Sequence, residues 1–265
     1  MAHIIVVCET PSKTFGGEFY DFHGECDLVL LKNPLFKEGL GMEIHIRTKI
    51  TDWWSSVQAA VIKIGDDMLE VQGGNLDKML WVNGVENENL EEGKVYHTHI
   101  AGFLVRYKKL SASFEAFIYL NGPKEVIMLK TFKDFVRVDV DWKESNNYYG
   151  ATGLLGSYDL NGDRVGRDGK THVANHDAFG QEWQVNEEDP LLFHTYEGAV
   201  LAPNKCIMPT DNTEKQAQRQ RRLAESNLTQ DVIERACSHL KSTAEREGCE
   251  FDIVATQDIS MASVW

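Results

Sequence analysis

The residues of this chain best suited to chemistry lie in one polar loop, Asp159-Leu160-Asn161-Gly162-Asp163-Arg164-Val165-Gly166-Arg167-Asp168-Gly169. Calcium takes about six to eight hard oxygen ligands, and Asp and Asn side chains alternating on a tight glycine-containing loop supply them. Asp159, Asn161 and Asp163 repeat the Asp-x-Asn-x-Asp opening of many calcium loops, and Asp168 adds a further donor. The stretch departs from the EF-hand: Arg164 stands where that loop needs Gly for its sharp turn, and Lys170 where it needs a bidentate Glu. A plainer alternative is a polar turn whose Asp and Asn side chains bond the nearby backbone. The expectation is that Asp159, Asn161, Asp163 and Asp168 ligate Ca2+.

The five cysteines are Cys8, Cys26, Cys206, Cys237 and Cys249. An odd number leaves one thiol over if the rest pair, and no Cys-x-x-Cys is present to suggest structural zinc or thioredoxin-like chemistry. Cys237 and Cys249 bracket a short turn between helical segments, and closing a loop of that size contributes ~2–3 kcal/mol by loop entropy. The pairing of the others stays open at this level, five reduced buried thiols being the alternative. Among nine histidines, His97-Thr98-His99 sets two imidazoles on one face of a strand, half of a zinc site. No Asp, Glu or Cys at ligand spacing accompanies them, so a solvated strand face is the simpler reading. His172, His176 and His194 have no recognisable nucleophile beside them, and the Glu-rich run from Glu86 to Glu92 reads as a solvated loop. No Gly-x-Ser-x-Gly, Gly-x-x-x-x-Gly-Lys-Ser/Thr or His-Glu-x-x-His occurs. Catalysis is not expected. Asn227-Leu228-Thr229 is an acceptor for N-glycosylation in a secreted chain, in competition with Thr229 as a helix cap. Arg219 to Arg222 resembles a dibasic processing site, with a basic helix face as the alternative.

The elements that must position these groups follow from periodicity. Met42, Ile44 and Ile46 alternate with polar residues, as do Val136, Val138 and Val140 opposite Phe135, Arg137, Asp139 and Asp141. Ala59–Ile64 meets Met68–Val71 across Gly65, Asp66 and Asp67; Leu80–Val82 runs into the hairpin dipeptide Asn83-Gly84; and Phe114–Leu120 meets Glu125–Leu129 across Asn121, Gly122 and Pro123. Short strands spaced by turns, without intervening helices, predict a mainly β fold: an antiparallel β-sandwich over residues 1–190. Residues 191–212, with Pro203 and Pro209, read as a wrapping linker. Residues 213–265 read as a helical appendage. Helix formers fill 214–225, and Val232, Ile233, Ala236, Cys237 and Leu240 share one face behind a Thr229 cap. A segment of that size does not hold itself together without support.

At 265 residues, 42% hydrophobic and 26% charged, the chain can bury a full core. A net charge of −14 excludes a nucleic-acid partner bound through clustered Lys and Arg. No run reaches the ~18–20 apolar residues of a membrane helix. The apolar opening His3–Val7 is too short for a signal h-region. Two readings follow, a cytosolic protein or a domain from a longer secreted or cell-surface protein, and the second is the expectation.

Three separated stretches then carry a resemblance. Tyr20-x-Phe22-x-Gly24-Glu25-Cys26, Gly153-Leu154-Leu155-Gly156 and Phe179-Gly180-x-x-Trp183-x-Val185, in that order, resemble the von Willebrand factor type D domain over about residues 8–190. The tail, with Ala236-Cys237 and Gly248 to Asp252, is similar to the reduced cysteine-bearing helical region that follows such domains. The resemblance implies a Cys26–Cys206 disulfide, calcium at the 159–168 loop, and an adhesive, matrix or self-associating role with other proteins as partners. It also marks departures. Thr152-Gly153-Leu154-Leu155-Gly156-Ser157 lacks both cysteines of the family's second motif, so Cys8 has no partner and is expected free, and covalent multimerisation by that route is not expected. Gly16 stands where the family places a calcium-binding Asp. Two other classes stay in view through the family: a secreted enzyme of luciferase type, and a lipid or ligand carrier.

Overall fold

The computed structural model describes residues 3–6, 12–20, 22–51, 54–75, 79–141, 146–195, 202–209, 228–241 and 243–265. Cys8, Asn227, the stretch 214–225 and the basic stretch 219–222 lie outside these. The chain opens with β1 (His3–Val6), β2 (Ser12–Lys13), β3 (Phe19–Tyr20) and β4 (Asp27–Asn33), followed by the short turn α1 (Phe36–Gly39). Then come β5 (Met42–Thr51), β6 (Trp54–Ile64), β7 (Asp67–Gln72), β8 (Leu80–Val82) and β9 (Val85–Glu86). The next five strands are β10 (Val95–Ile100), β11 (Phe103–Lys109), β12 (Ser113–Tyr119), β13 (Val126–Phe132) and β14 (Phe135–Asp141). The helices are α2 (His176–Glu182), α3 (Gln230–Cys237) and α4 (Thr243–Thr256).

The strands form two antiparallel sheets, ordered β1-β14-β13-β12-β11-β10 and β4-β5-β6-β7-β8-β9, with β2 and β3 as a separate ribbon. The last strand of the second sheet has only two residues. Every neighbouring pair within the two sheets is antiparallel, so the expected mainly β, antiparallel architecture is what the chain builds. Alternation decides the faces. Met42, Ile44 and Ile46 point inward with Ala60, Ile62, Ile64, Leu69 and Val71; from the other sheet come Phe114, Ala116, Ile118, Ile127, Leu129, Val136, Val138 and Val140. Burying each of the larger aliphatic or aromatic side chains is worth ~1.5–3 kcal/mol. Turn chemistry holds the register: Asn83 and Gly84 both take positive φ (52° and 74°) between β8 and β9, the hairpin conformation their types favour.

Two findings depart from the sequence reading. First, a helix does interrupt the β region. Asn175 caps α2, its Oδ1 accepting from the Ala178 amide at 2.8 Å, and Asp177 sits in the first turn. Second, the polar face of β14 is covered, which alternation alone does not decide. Helices α3 and α4 and the turn Ile259–Ser263 form a second core of Ile233, Cys237, Cys249, Ile253, Met261 and Val264 that packs on Trp54, Phe132 and Phe135 of the sandwich. This lid buries Arg137 and Asp139. The Arg137 guanidinium pairs with Asp139 at 2.9 Å and donates to the Val264 carbonyl at 2.6 Å, while its plane lies 5.4 Å from the Trp265 ring. Trp265 in turn donates its Nε1 proton to the fully buried Asp252 at 2.7 Å. Among the described residues no helix is long and apolar enough to cross a membrane.

Candidate functional site

Strand β4 lies at one edge of the second sheet, where unpaired backbone groups need covering. Two distant segments cover them, and a third packs on the cover. Residues 152–155 bond along β4: Lys32 and Thr152 exchange backbone bonds, and the Leu154 and Leu155 amides donate to Val29 and Leu30 carbonyls at 3.1 and 3.2 Å. From the other side the Val29 amide donates to the Trp183 carbonyl at 2.8 Å, and the Val185 amide to the Asp27 carbonyl at 2.9 Å. The approach at Gly153 requires glycine: its φ is 136°, and a Cβ there would lie 2.5 Å from the Leu30 carbonyl oxygen. The β2–β3 segment closes the end. Phe15 donates its amide to the Leu155 carbonyl at 2.8 Å, the Tyr20 hydroxyl donates to the Leu154 carbonyl at 2.6 Å, and the Tyr20 ring meets Phe179 edge-on at 5.1 Å. Trp183, buried, donates its indole proton to the Val165 carbonyl at 3.1 Å. Thus the three stretches that carry the resemblance meet in space around one strand.

A disulfide locks this end. Cys26 and Cys206 are bonded, with Cα atoms 4.8 Å apart, and the next residues Glu25 and Ile207 form a backbone bridge. Cys237 and Cys249 are bonded with Cα atoms 5.9 Å apart, joining α3 to α4. Both expected pairs are therefore present, within the distance a disulfide can span. Thr229 occupies the cap position of α3, where its carbonyl accepts from Val232 and Ile233; its hydroxyl makes no cap bond.

The acidic loop is held by local hydrogen bonds. Asp159 accepts from the Gly150 amide at 3.2 Å, and Asp163 lies 2.6 Å from His172 Nδ1. Asp168 accepts from the Thr171 hydroxyl and the Thr171 and Lys170 amides, and these bonds hold its carboxyl down at about 2. Asn161 takes a left-handed conformation (φ 54°). Among the described residues no three His, Cys, Asp or Glu side chains gather as a metal-holding group. Of the expected ligands Asp159, Asn161, Asp163 and Asp168, each of the three carboxylates has a protein donor within hydrogen-bond reach. The Gly16 departure has a steric cause as well. A Cβ at Gly16 would lie 2.1 Å from the Asn161 carbonyl oxygen, so this loop packs where an Asp side chain would need to start. As placed, the donor set fits a hydrogen-bonded polar turn.

The remaining titratable groups sit where alternation puts them. Beneath the 189–195 strand-covering segment, burial pushes the Glu70 carboxyl up, although the His194 amide donates to it at 2.7 Å. Burial also opposes ionisation of Asp189, but Arg167 and Lys32 outweigh it and hold the carboxyl below its ordinary value. His45, which sequence reasoning missed, is buried 3.4 Å from Glu43 on the same outward face of β5. Its outward position in an alternating strand was legible, its cover was not. His176 stacks its ring edge-on against Tyr20 at 6.0 Å. His97 and His99 are exposed together on β10. A surface groove of about 810 Å³ runs past Asp27, Arg167, Glu182, Glu187 and Asp189. Its lining is largely polar and charged. No protein-family model matches this chain, and no curated protein is significantly similar to it.

Proposed function

We propose that this chain is a non-enzymatic structural module of von Willebrand factor D-like type that acts through protein–protein contact, including contact with its own copies. The observation that carries the reading is the sealed β4 edge. Two of the three stretches of the resemblance close this edge, the third packs on the cover through Tyr20, and the Cys26–Cys206 disulfide ties the closure. Two disulfides fit an oxidising compartment, which supports a secreted or cell-surface setting. Glu70 and Asp189, whose titration is shifted, are engaged in ion pairs and backbone bonds that hold loops to the second sheet. The family's calcium plays no part in this reading, because the loop's carboxylates already have protein donors.

The test is sedimentation velocity of the oxidised full chain over a wide concentration range. A species of twice the monomer mass, growing with concentration, is expected. A chain that stays monomeric at every concentration, and in the presence of divalent cations, contradicts self-association.

A further inference from the structure

The two sheets end differently. While β4 is sealed, β10 ends the first sheet with no strand on its far side among the described residues. Exposed edges are normally blunted by a proline, an edge lysine, a bulge or extreme shortness. Strand β10 has none of these. Val95 to Ile100 contains no Pro or Lys, and its six residues pair with β11 without a register shift.

The parity of the hairpin decides which groups face outward. Ala101 and Gly102, both at positive φ (49° and 82°), make a two-residue turn closed by Ile100 and Phe103. Such a turn is closed by a hydrogen-bonded pair, and bonded pairs alternate along the ladder. Tyr96, Thr98 and Ile100 therefore bond to β11, and the amides and carbonyls of His97 and His99 point away from the sheet. The two imidazoles stand on one face, about 7 Å apart by strand rise. Both residues are exposed, and neither ring has a hydrogen-bond or ion-pair partner among the described residues.

We propose that His97 and His99 form half of a zinc site completed by the same two residues of a second copy, joined edge to edge along β10. A two-fold antiparallel pairing centred on Thr98 sets His97 opposite His99 of the other copy, and His99 opposite its His97. Directly opposed Cβ atoms lie about 4.5–5.5 Å apart. Four imidazoles then share one face of the joint sheet, and a tetrahedral zinc ion takes four nitrogen ligands at about 2.0–2.1 Å. A single copy supplies only two ligands, so the site does not exist without the partner. A divalent cation also offsets part of the repulsion between two copies that each carry −14. Arg106, which faces His97 across the β10–β11 ladder and is exposed, opposes the ion. The inference deepens the reading of a self-associating module and rests on it.

Sedimentation velocity of the oxidised full chain in ZnCl2, in MgCl2 and in chelator tests it. Imidazole binds zinc and not magnesium, so only zinc should raise the dimer fraction. At free zinc ten times the dissociation constant of the bridged site, mass action tightens the dimer about tenfold. His97→Ala with His99→Ala should abolish the zinc response and leave the melting temperature unchanged. Arg106→Gln, which keeps both ligands, should strengthen the response. Dimerisation without zinc and indifferent to it keeps the self-association reading and overturns the histidine site. A double variant that still dimerises in zinc overturns it as well, and a chain monomeric under all three conditions overturns both.

Discussion

Two of the four sheet edges, β4 and β10, show how one chain treats the same hazard in opposite ways. At β4 every exposed stretch of backbone is met by residues 152–155 or 183–185, and a disulfide spanning 180 residues fixes the cover. At β10 the ladder stops among the described residues, with two histidines on the exposed face. Two distant segments close one edge, whereas among the described residues no strand lies along the other, which leaves that edge open to contact. The outer face of the first sheet repeats the contrast on a smaller scale. Its β13–β14 half lies under the C-terminal helices, with Arg137 bonded to Val264 and Lys130 to the Ser263 carbonyl. Its β10–β11 half, with His97, His99, Leu104 and Arg106, is exposed.

The comparison breaks most visibly at the disulfides. Loop entropy assigns about 5 kcal/mol to a closure of 180 residues and about 3 kcal/mol to one of 12. Replacing Cys26 and Cys206 by Ser should lower the unfolding free energy of the whole molecule by most of that larger amount, read from denaturant unfolding. Replacing Cys237 and Cys249 should loosen only the helical lid, read as a separate early phase in tail tryptophan fluorescence. Equal effects on one shared transition would show that lid and sandwich are one cooperative unit.

A smaller effect separates the covered half of the outer face from the open half. Burial pushes the Asp252 carboxyl well above its ordinary 3.8, against the hydrogen bond from Trp265 and the charge of Arg137. The folded state therefore favours the neutral acid. Its stabilisation is complete below about pH 4 and is lost as pH rises toward the folded value. Asp252→Asn should remove this dependence and raise stability near neutrality by about 1–3 kcal/mol, the scale of one buried unsatisfied group. Unfolding curves of both proteins at pH 4.5 and 8 check it. A variant less stable than the parent at pH 8 would contradict the assignment.

The smallest expected effect concerns the loop that packs against the sealed end. With Asp163 on His172 and Asp168 on Thr171, calcium and chelator should give the same melting temperature. A rise of several degrees in calcium would show that the loop rearranges around an ion.

How far these features were legible depends on the range over which they are decided. Met42, Ile44 and Ile46 and the Asn83-Gly84 turn are settled within a few residues, and the strands they predict are present. The Cys237–Cys249 pair follows from a short span, whereas Cys26–Cys206 needed the family resemblance, since no local pattern reports on a partner 180 residues away. Helix α2 has a local start signal in Asn175 with Asp177, but the strand pattern around it masks so short a helix. The burial of Arg137 and Asp139 was not legible, because their cover arrives from Val264 and Trp265. At the acidic loop, spacing gives the order of the oxygens but not which donors reach them first. Gly150, Thr171 and His172 decide that from outside the Asp-x-Asn-x-Asp run.

Amide hydrogen exchange of the oxidised full chain tests the contrast between the edges most directly. At low protein concentration the amides of Val29, Leu154 and Val185, bonded along β4, should exchange only through global unfolding. Those of His97 and His99 should exchange in the native state and gain protection as concentration rises. Early, concentration-independent protection of His97 and His99, matching that of Val29, would contradict an open β10 edge.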